Sequence, residues 1–284
     1  SALNKSDPRL NIYKSKGRGI VNACNTGFSH CRGKFIARMD ADDISLESRL
    51  ECQVDYLQEN RGIDIAGSCV EIFADDGIQG GLRRYQGWLN SVREPEQVRK
   101  QIFIESPLPN PSLVFRRTAL EKLSGYRNNA WPEDYDLLLR ADAKMMLMGK
   151  PDPVLLRWRE HESRLTHTDS LYERERFMQA KAHYLVNHRL RGRGVILWGA
   201  GPTGRDTHDL IVAEGAVVHG FIEVHPRRIG GQKRGLPVWS MDKVDDMGDA
   251  MLLVAVGAAG ARQEIAAFAD SHEKIEGRDY LFVA

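Results

Sequence analysis

The sequence predicts an α/β protein in two parts: a mixed sheet flanked by helices, followed by a smaller βαβ module. Short apolar or β-branched runs alternate with segments whose apolar residues recur every three or four positions, as strands and helices do when they form layers. This alternation ends near Leu190 and starts again at Val195. The basic, glycine-containing stretch between them, residues 189–194, predicts a boundary between two units.

In the first part, period-two or continuous apolar runs predict strands, and Pro107, Pro109 and Pro111 exclude a helix before one of them. The predicted strands cover residues 10–13, 35–39, 63–73, 112–116 and 154–158. The sequence Asp75-Asp76-Gly77 predicts the turn that ends the third strand.

Helices are predicted between these strands, with Pro132 just before one of them, where helix starts favour proline. They cover residues 20–28, 46–57, 134–148 and 171–190. The spacing of Leu46, Leu50, Val54 and Leu57 predicts one apolar face on the second helix. In the third helix, apolar spacing predicts an inward face with these members: Leu138, Met145 and Met148.

The second part repeats the alternation on a smaller scale. Its predicted strands cover residues 195–198, 217–222, 251–256 and 280–283. Its helices are predicted through Leu210 and Ile211 and over residues 262–270. We expect a first domain over residues 1–168, a helical linker over 169–193 and a smaller α/β domain over 194–284.

Composition limits the classes of function. The 284 residues carry 40 basic and 39 acidic side chains, a net charge of +1, so the chain lacks the overall positive field that holds nucleic acid. No apolar run reaches the ~18 residues of a membrane-spanning helix, and residues 1–8 lack the apolar stretch of a signal peptide. The four cysteines form no C-x-x-C pair, which indicates reduced thiols in a cytoplasmic protein.

The sharpest local motif is Met39-Asp40-Ala41-Asp42-Asp43, at the end of the second predicted strand. Carboxylates in a turn that leaves a strand can converge on one hard cation, and Mg²⁺ or Mn²⁺ takes oxygen ligands. Ligands of α/β sheets generally lie at this edge. The alternative is a solvated acidic loop in which Asp43 or Ser45 caps the next helix.

A second acidic motif, Trp131-Pro132-Glu133-Asp134-Tyr135-Asp136, lies at a predicted helix start. An acid beside an aromatic ring could serve as a general base whose pKa is set by its surroundings. Acids also favour the first turn of a helix for electrostatic reasons alone. Asp136 and Arg140 have the spacing of a structural ion pair, whereas Glu133 and Asp134 remain open between the two interpretations.

Taken together, the motifs resemble family 2 glycosyltransferases of the GT-A fold over about residues 8–168. The pieces are individually weak, but they occur in the order found in that family. They are residues 19–27 (GIVNACNTG), 32–43 (RGKFIARMDADD), 111–116 (PSLVFR), 125–126 (GY), 133–134 (ED) and 156–161 (LRWREH) with Ser163.

The resemblance implies an inverting transfer of a sugar from a nucleotide-diphosphate donor to an acceptor hydroxyl. Asp40 and Asp42 match the family's metal-binding pair, which implies a bound Mg²⁺ or Mn²⁺, and Asp134 matches its catalytic base. The remaining assignments are Asp43, Arg159 and His161 on the donor side and Trp131 and Glu133 on the acceptor side. A solvated strand end is the alternative for Arg159 and His161.

Two departures from the family pattern affect the donor side. The family begins with two strands and a helix that carry the residue reading the nucleobase and ribose, whereas this sequence starts at what resembles the third strand. We therefore expect an N-terminally incomplete GT-A domain that binds nucleotide poorly as it stands. In addition, Cys24 stands where relatives often have arginine.

The second part carries Gly199-Ala200-Gly201-Pro202-Thr203-Gly204 after a strand and at the start of a helix, with Glu223 ending the next strand. In that context the glycines allow a tight turn and a close approach of phosphate, and the acid can bind ribose hydroxyls. This part resembles the small N-terminal domain of sugar O-acyltransferases. The candidate nucleotide-binding residues are Gly199, Gly201, Gly204 and Glu223; a module that serves only packing is the alternative.

The sequence therefore favours a glycosyltransferase of bacterial surface-glycan or glycolipid assembly, acting on a glycan or glycolipid acceptor. It is expected in the cytoplasm and is not expected to bind nucleic acid. Attachment to the inner membrane face through partners and formation of a homo-oligomer are left open. An NAD-dependent oxidoreductase and a non-catalytic nucleotide-sugar-binding module, both built on the Gly199–Gly204 turn, are the alternatives.

Overall fold

The computed structural model describes residues 7–258 and 260–284. We number its main elements in chain order. The helices are α1 (Ile20–His30), α2 (Arg49–Glu59), α3 (Gly80–Ser91), α4 (Pro95–Gln101), α5 (Arg117–Leu123), α6 (Glu133–Ala143), α7 (Leu165–Thr168), α8 (Arg174–Tyr184), α9 (Pro202–Ala213) and α10 (Ala261–Ser271). A π-helical segment, Leu185–Leu190, continues α8.

The strands of the N-terminal part (residues 7–193) form two small sheets. These strands are β1 (Phe35–Ala37), β2 (Ile44–Ser45), β3 (Ile63–Ala66), β4 (Cys69–Phe73), β5 (Val114–Arg116), β6 (Leu147–Gly149) and β7 (Val154–Arg159). One sheet has the order β1-β5-β3-β6 and mixes antiparallel with parallel pairs; the other has the order β2-β7-β4. The mixed α/β class is thus confirmed.

The C-terminal part (residues 194–284) is a single six-stranded sheet. Its strands are β8 (Val195–Trp198), β9 (Val218–Ile222), β10 (Gln232–Lys233), β11 (Leu236–Trp239), β12 (Met251–Val254) and β13 (Tyr280–Phe282). Five of them are parallel in the order β11-β9-β8-β12-β13, and β10 adds an antiparallel edge. This is the doubly wound order, in which the first strand is central and the direction of winding reverses beside it. The part is therefore larger than the single βαβ unit expected from the sequence.

The two parts share one apolar core, and α8 lies where they meet. This helix packs against α6 on one side and α9 on the other. Residues of α6, α8 and β8, among them Leu138, Ala180 and Leu197, belong to the same buried cluster. The segment expected to be a linker thus contributes to the core. No helix in the described part of the chain combines the length and the apolar character needed to cross a membrane.

Predictions from local pattern are wrong for residues 10–13 and 144–148 of the N-terminal part. Residues 10–13 are not a strand; Leu10, Ile12 and Tyr13 are exposed, and the Tyr13 ring stacks on His30 with centroids 3.6 Å apart. Among the described residues, β1 at the sheet edge pairs with β5 alone, so the segment finds no backbone partner. The predicted helix 134–148 ends at Ala143, and the chain turns back into β6.

The buried face of α2 is only partly the apolar one predicted, because Leu57 is buried there but two polar side chains are buried as well. Leu50 is 52% exposed, whereas Arg49 and Gln53 are buried. Arg49 Nη2 donates to the carbonyl oxygen of Arg38 at 2.6 Å, and Gln53 Nε2 donates to that of Gly67 at 2.7 Å. These bonds satisfy carbonyls at the end of β1 and at the bend between β3 and β4, where the predicted single strand 63–73 is interrupted. Helical spacing cannot reveal this role, because it counts only apolar residues.

Candidate active site

A cavity of about 410 Å³ opens where β1, β7 and the start of α6 converge. It collects residues from motifs that are about 30 to 120 positions apart in sequence. Its lining includes Asp40, Asp42, Glu133, Asp134 and His161. The structure therefore brings the two acidic motifs of the sequence together with the histidine after β7.

The acidic segment after β1 forms the first wall. One carboxylate oxygen from each of Asp40, Asp42 and Asp43 lies within 4.8 Å of the others. Asp43 Oδ2 is buried and has no hydrogen-bond partner. Burial, together with the charges of Asp40 and Asp42, raises the pKa of Asp43 to about 6. Three converging oxygens and a buried oxygen without a partner form a donor set suited to a hard divalent cation.

Arg38 fixes one member of this group. Its side chain is 5% exposed and its Nη1 lies 2.6 Å from Asp40 Oδ2. The helix α2 holds the backbone at this point through the bond from Arg49 to the Arg38 carbonyl. Arg38 was not predicted as a site residue. The sequence nevertheless carries a signal for it, because a charged residue stands inside a predicted buried strand.

The segment that follows β7 forms the second wall. Because β2 and β7 pair with Ile44 opposite Arg157, the chain after β7 returns beside the acidic segment. The backbone N–H of Arg159 donates to Asp43 Oδ1 at 2.8 Å, and its Nε donates to the carbonyl of Asp42 at 3.0 Å. His161 Nε2 lies 2.9 Å from Asp42 Oδ2. Arg159 and His161 therefore both contact the acidic segment. Of the residues in these contacts, Arg159 and Asp43 do not themselves line the cavity.

The third wall is the start of α6. Burial and the charge of Glu133 raise the pKa of Asp134 to about 7. Burial also raises the pKa of Glu133, which is 2% exposed and whose Oε2 accepts a 2.7 Å hydrogen bond from the Tyr172 hydroxyl. An acid with a pKa near neutrality, at a cavity wall, can exchange a proton under ordinary conditions. Tyr172 comes from the segment before α8, and its sequence carries no motif that could have identified it.

Asp136, two residues further along α6, has a different environment. It is fully buried, and its Oδ2 accepts from Arg140 Nε at 2.6 Å, as the spacing predicted. Its Oδ1 accepts hydrogen bonds from the side chains of Asn129, Trp131 and Tyr184. Trp131 is therefore directed toward Asp136 and packs on Tyr184. It is not among the residues that line the cavity, where the sequence placed it on the acceptor side.

The glycine turn of the C-terminal part has the close packing that its motif predicts. Gly199 has φ of 115°, and a Cβ on Gly204 would lie 1.8 Å from the Gly199 carbonyl oxygen. Gly201 occupies the N-cap of α9 without a side-chain cap. The acid of the motif is already engaged: Glu223 Oε1 accepts from the backbone N–H of Val224, and its Oε2 from Arg228 Nη1 at 2.9 Å.

Residues 1–124 match the family model described as glycosyl transferase family 2. The chain is 30% identical over 185 residues to an uncharacterized glycosyltransferase of Haemophilus influenzae, covering 63% of this chain and 56% of that protein. It is 29% identical over 126 residues to the UDP-Gal:alpha-D-GlcNAc-diphosphoundecaprenol beta-1,3-galactosyltransferase of Escherichia coli, covering 44% of each.

Among solved structures, the chain is similar to S. aureus TarS in complex with UDP-GlcNAc, with 17% identity, a TM-score of 0.43, and 62% of this chain and 49% of that chain covered. The chain spans about half the length of the curated relatives it matches.

Proposed function

We propose that the chain is part of an inverting enzyme that transfers a sugar from a nucleotide-diphosphate donor to an acceptor hydroxyl, as the match of residues 1–124 to the model of glycosyl transferase family 2 supports. The observation that carries this proposal is the shared cavity: the carboxylates after β1 and Asp134 at the start of α6 line one space. An inverting displacement needs this arrangement, since the leaving group and the base act on opposite sides of the reacting carbon.

On the donor side, Asp40 and Asp42 would hold Mg²⁺ or Mn²⁺, with Asp43 completing the oxygen-rich group. Such a cation neutralises charge on the diphosphate of the donor. His161 is placed to orient Asp42, because its Nε2 is within hydrogen-bond distance of that carboxylate. Arg159 keeps Asp43 in position through its backbone N–H, and its guanidinium adds positive charge beside the group.

On the acceptor side, Asp134 would accept the proton of the attacking hydroxyl. A pKa of about 7 means that a large fraction of this carboxyl is ionised at neutral pH and yet basic enough to take the proton as the new bond forms. Glu133 lies next to it in the lining and would bind a further hydroxyl of the acceptor.

The E. coli relative, by its name, uses UDP-Gal and a GlcNAc-diphosphoundecaprenol acceptor. This likeness supports a nucleotide-sugar donor and a role in bacterial surface-glycan or glycolipid assembly. The competing oxidoreductase hypothesis needs Glu223 to bind a ribose, but this carboxylate already accepts from Arg228 and from its own loop.

The test is transfer from a panel of uridine, guanosine and thymidine diphosphate sugars by the full chain with Mn²⁺. We expect one donor class to be used, and we expect EDTA or Asp42→Asn to reduce the rate at least ~tenfold by weakening cation binding. Asp246→Asn, an exposed carboxylate in the C-terminal part, is the matched control and should keep full activity. Equal rates for Asp42→Asn and Asp246→Asn would refute the proposed metal site.

A further inference from the structure

A second cavity, of about 460 Å³, lies between the two parts of the chain. Its volume is within the range of small-molecule sites. The N-terminal part supplies Glu105, and α8 supplies Arg174 and Lys181. The C-terminal part supplies Thr203, in the first turn of α9, and Val283, directly after β13.

Lys181 gives this cavity an incompletely paired positive charge. Its Nζ donates to the carbonyl oxygen of Ile104 at 2.6 Å, whereas an ammonium group has three donors. Within residues 7–258 and 260–284, no carboxylate oxygen lies within 4.0 Å of this nitrogen. Burial lowers the pKa of Lys181; the charge of Glu105 acts in the opposite direction, and the charges of Arg174 and Arg262 lower the pKa further. Because the net shift is still downward, an additional negative charge would stabilise the protonated form.

The other charged groups at this wall leave room for an anion. The carboxylate of Glu105 is turned to its own backbone, since its Oε1 accepts from the Ser106 N–H at 2.9 Å. Arg174 has a 3.5 Å contact with Asp206 and is otherwise exposed. Thr203, in the first turn of α9, lines the same cavity as Lys181, and the N-cap residue Gly201 has no side chain that could accept from the backbone N–H groups of that turn.

We propose that this second cavity binds a phosphate-bearing small molecule, with the phosphate held between Lys181 and the first turn of α9. The cavity lies at the edge of the doubly wound sheet where parallel strands end, which is where such sheets generally bind ligands. Its Tyr172 and Phe177 supply an apolar and aromatic wall for the rest of the ligand. This assignment uses neither Asp134 nor the acidic group after β1, so phosphate binding can be tested separately from the proposed glycosyl transfer.

The two cavities share part of their walls. Glu105, Tyr172 and Phe177 line both of them, and the hydroxyl of Tyr172 donates to Glu133 in the candidate active site. The phosphate could therefore belong to a free nucleotide or to an acceptor that extends from one cavity into the other. Both sources require the same cationic contact at Lys181.

The experiment is calorimetric titration of the full chain with inorganic pyrophosphate in metal-free buffer containing EDTA, so that binding through a cation at the acidic group is suppressed. We expect the wild type to bind and Lys181→Met to lose at least ~tenfold in affinity, as for loss of a charged hydrogen bond. Lys181→Arg should keep most of the affinity. Asp42→Asn and the exposed-site control Lys122→Met should bind as the wild type does.

Thr203→Glu is a second variant that does not disturb the core, because acids are favoured in the first turn of a helix. Its carboxylate should weaken pyrophosphate binding to a similar extent by repulsion. Repeating the titration with uridine diphosphate and with glucose 1-phosphate identifies the source: tighter binding of the first favours a nucleotide and of the second a sugar phosphate. Absence of binding by the wild type, unchanged affinity in folded Lys181→Met and Thr203→Glu, or loss of binding in Asp42→Asn would overturn the proposal.

Discussion

Carboxylates at the carboxyl-terminal edges of the two sheet regions differ in how fully they are hydrogen-bonded and in the direction of their pKa shifts. Around the candidate active site, Asp43 keeps a buried oxygen without a partner, and burial raises the pKa of Asp134 to about 7. At the edge of the C-terminal sheet, Glu223 is surrounded by donors: Arg228 and backbone N–H groups outweigh the effect of burial and lower its pKa. The first arrangement leaves carboxylate oxygens available to bind a ligand or a proton, whereas in the second the carboxylate is hydrogen-bonded within the fold.

The same contrast occurs within the single helix α6. Asp134 lines the cavity, while Asp136 is enclosed and accepts from Arg140 and three other side chains. The two residues differ in position by about half a turn, which turns one toward the cavity and the other into the core. Substitutions at the two sites should therefore affect different properties.

The largest expected effect is on transfer activity in Asp134→Asn. Loss of the proposed base should reduce kcat by about 10²–10⁴-fold. In the folded state the pKa of Asp134 is raised from its ordinary value of 3.8 to about 7, so the stability of the wild type falls as pH rises between these two values. The variant cannot ionise at this position and should therefore be at least as stable as the wild type at pH 8. Kinetics and thermal unfolding at pH 8 measure both; a variant with kcat within tenfold of wild type would exclude Asp134 as the base.

The next largest effect is on folding stability in Asp136→Ala. Removing this carboxylate leaves the buried guanidinium of Arg140 without its charged partner, which should cost about 3–5 kcal/mol of unfolding free energy. Urea unfolding followed by circular dichroism checks the value. A loss below about 1 kcal/mol would show that Arg140 is held mainly by the carbonyls of Leu123 and Gly125, to which it also donates.

Sequence reasoning succeeded where spacing along the chain determines the contact. The pair Asp136–Arg140 lies one helical turn apart, and the grouping of Asp40 with Asp42 follows from a single turn after β1. Asn25 and Tyr126 belong to two separate family motifs, and their contact was not predicted: in the structure Asn25 Nδ2 donates to the Tyr126 carbonyl, and the Tyr126 N–H donates back to Asn25 Oδ1.

It failed where tertiary contacts decide the outcome. Tyr172 reaches Glu133 across 39 positions, and the second cavity exists only because α8 lies between the two parts. Residues 10–13 alternate as a strand does, yet alternation cannot supply a neighbouring strand. Trp131 stands next to the acidic motif in sequence, but its ring faces Asp136 because that buried carboxylate needs donors.

A smaller and more diagnostic effect concerns the pH dependence of transfer. The raised pKa of Asp134 predicts that kcat/KM falls about tenfold per pH unit below about pH 7, as the base becomes protonated. Since the charge of Glu133 contributes to that raised pKa, Glu133→Gln should move the acid limb to lower pH. Profiles measured from pH 5 to 9 for both proteins test this; an acid limb at the same or a higher pH in the variant would contradict the coupling.

The smallest effect is expected at the other edge, in Glu223→Gln. Its amide can still accept from the backbone N–H groups but loses the charged bond to Arg228, which is half exposed, so the cost should be about 0.5–1.5 kcal/mol. The folded-state pKa of Glu223 lies below its ordinary 4.5, so its ionised form stabilises the fold above that value and this contribution fades as pH falls below it. Urea unfolding should therefore separate wild type from variant at pH 7.5 more than at pH 4, while transfer activity stays within about twofold. If Glu223→Gln instead reduced transfer as strongly as Asp134→Asn, the second edge would be taking part in the reaction, and the contrast between a reactive and a structural sheet edge would not hold.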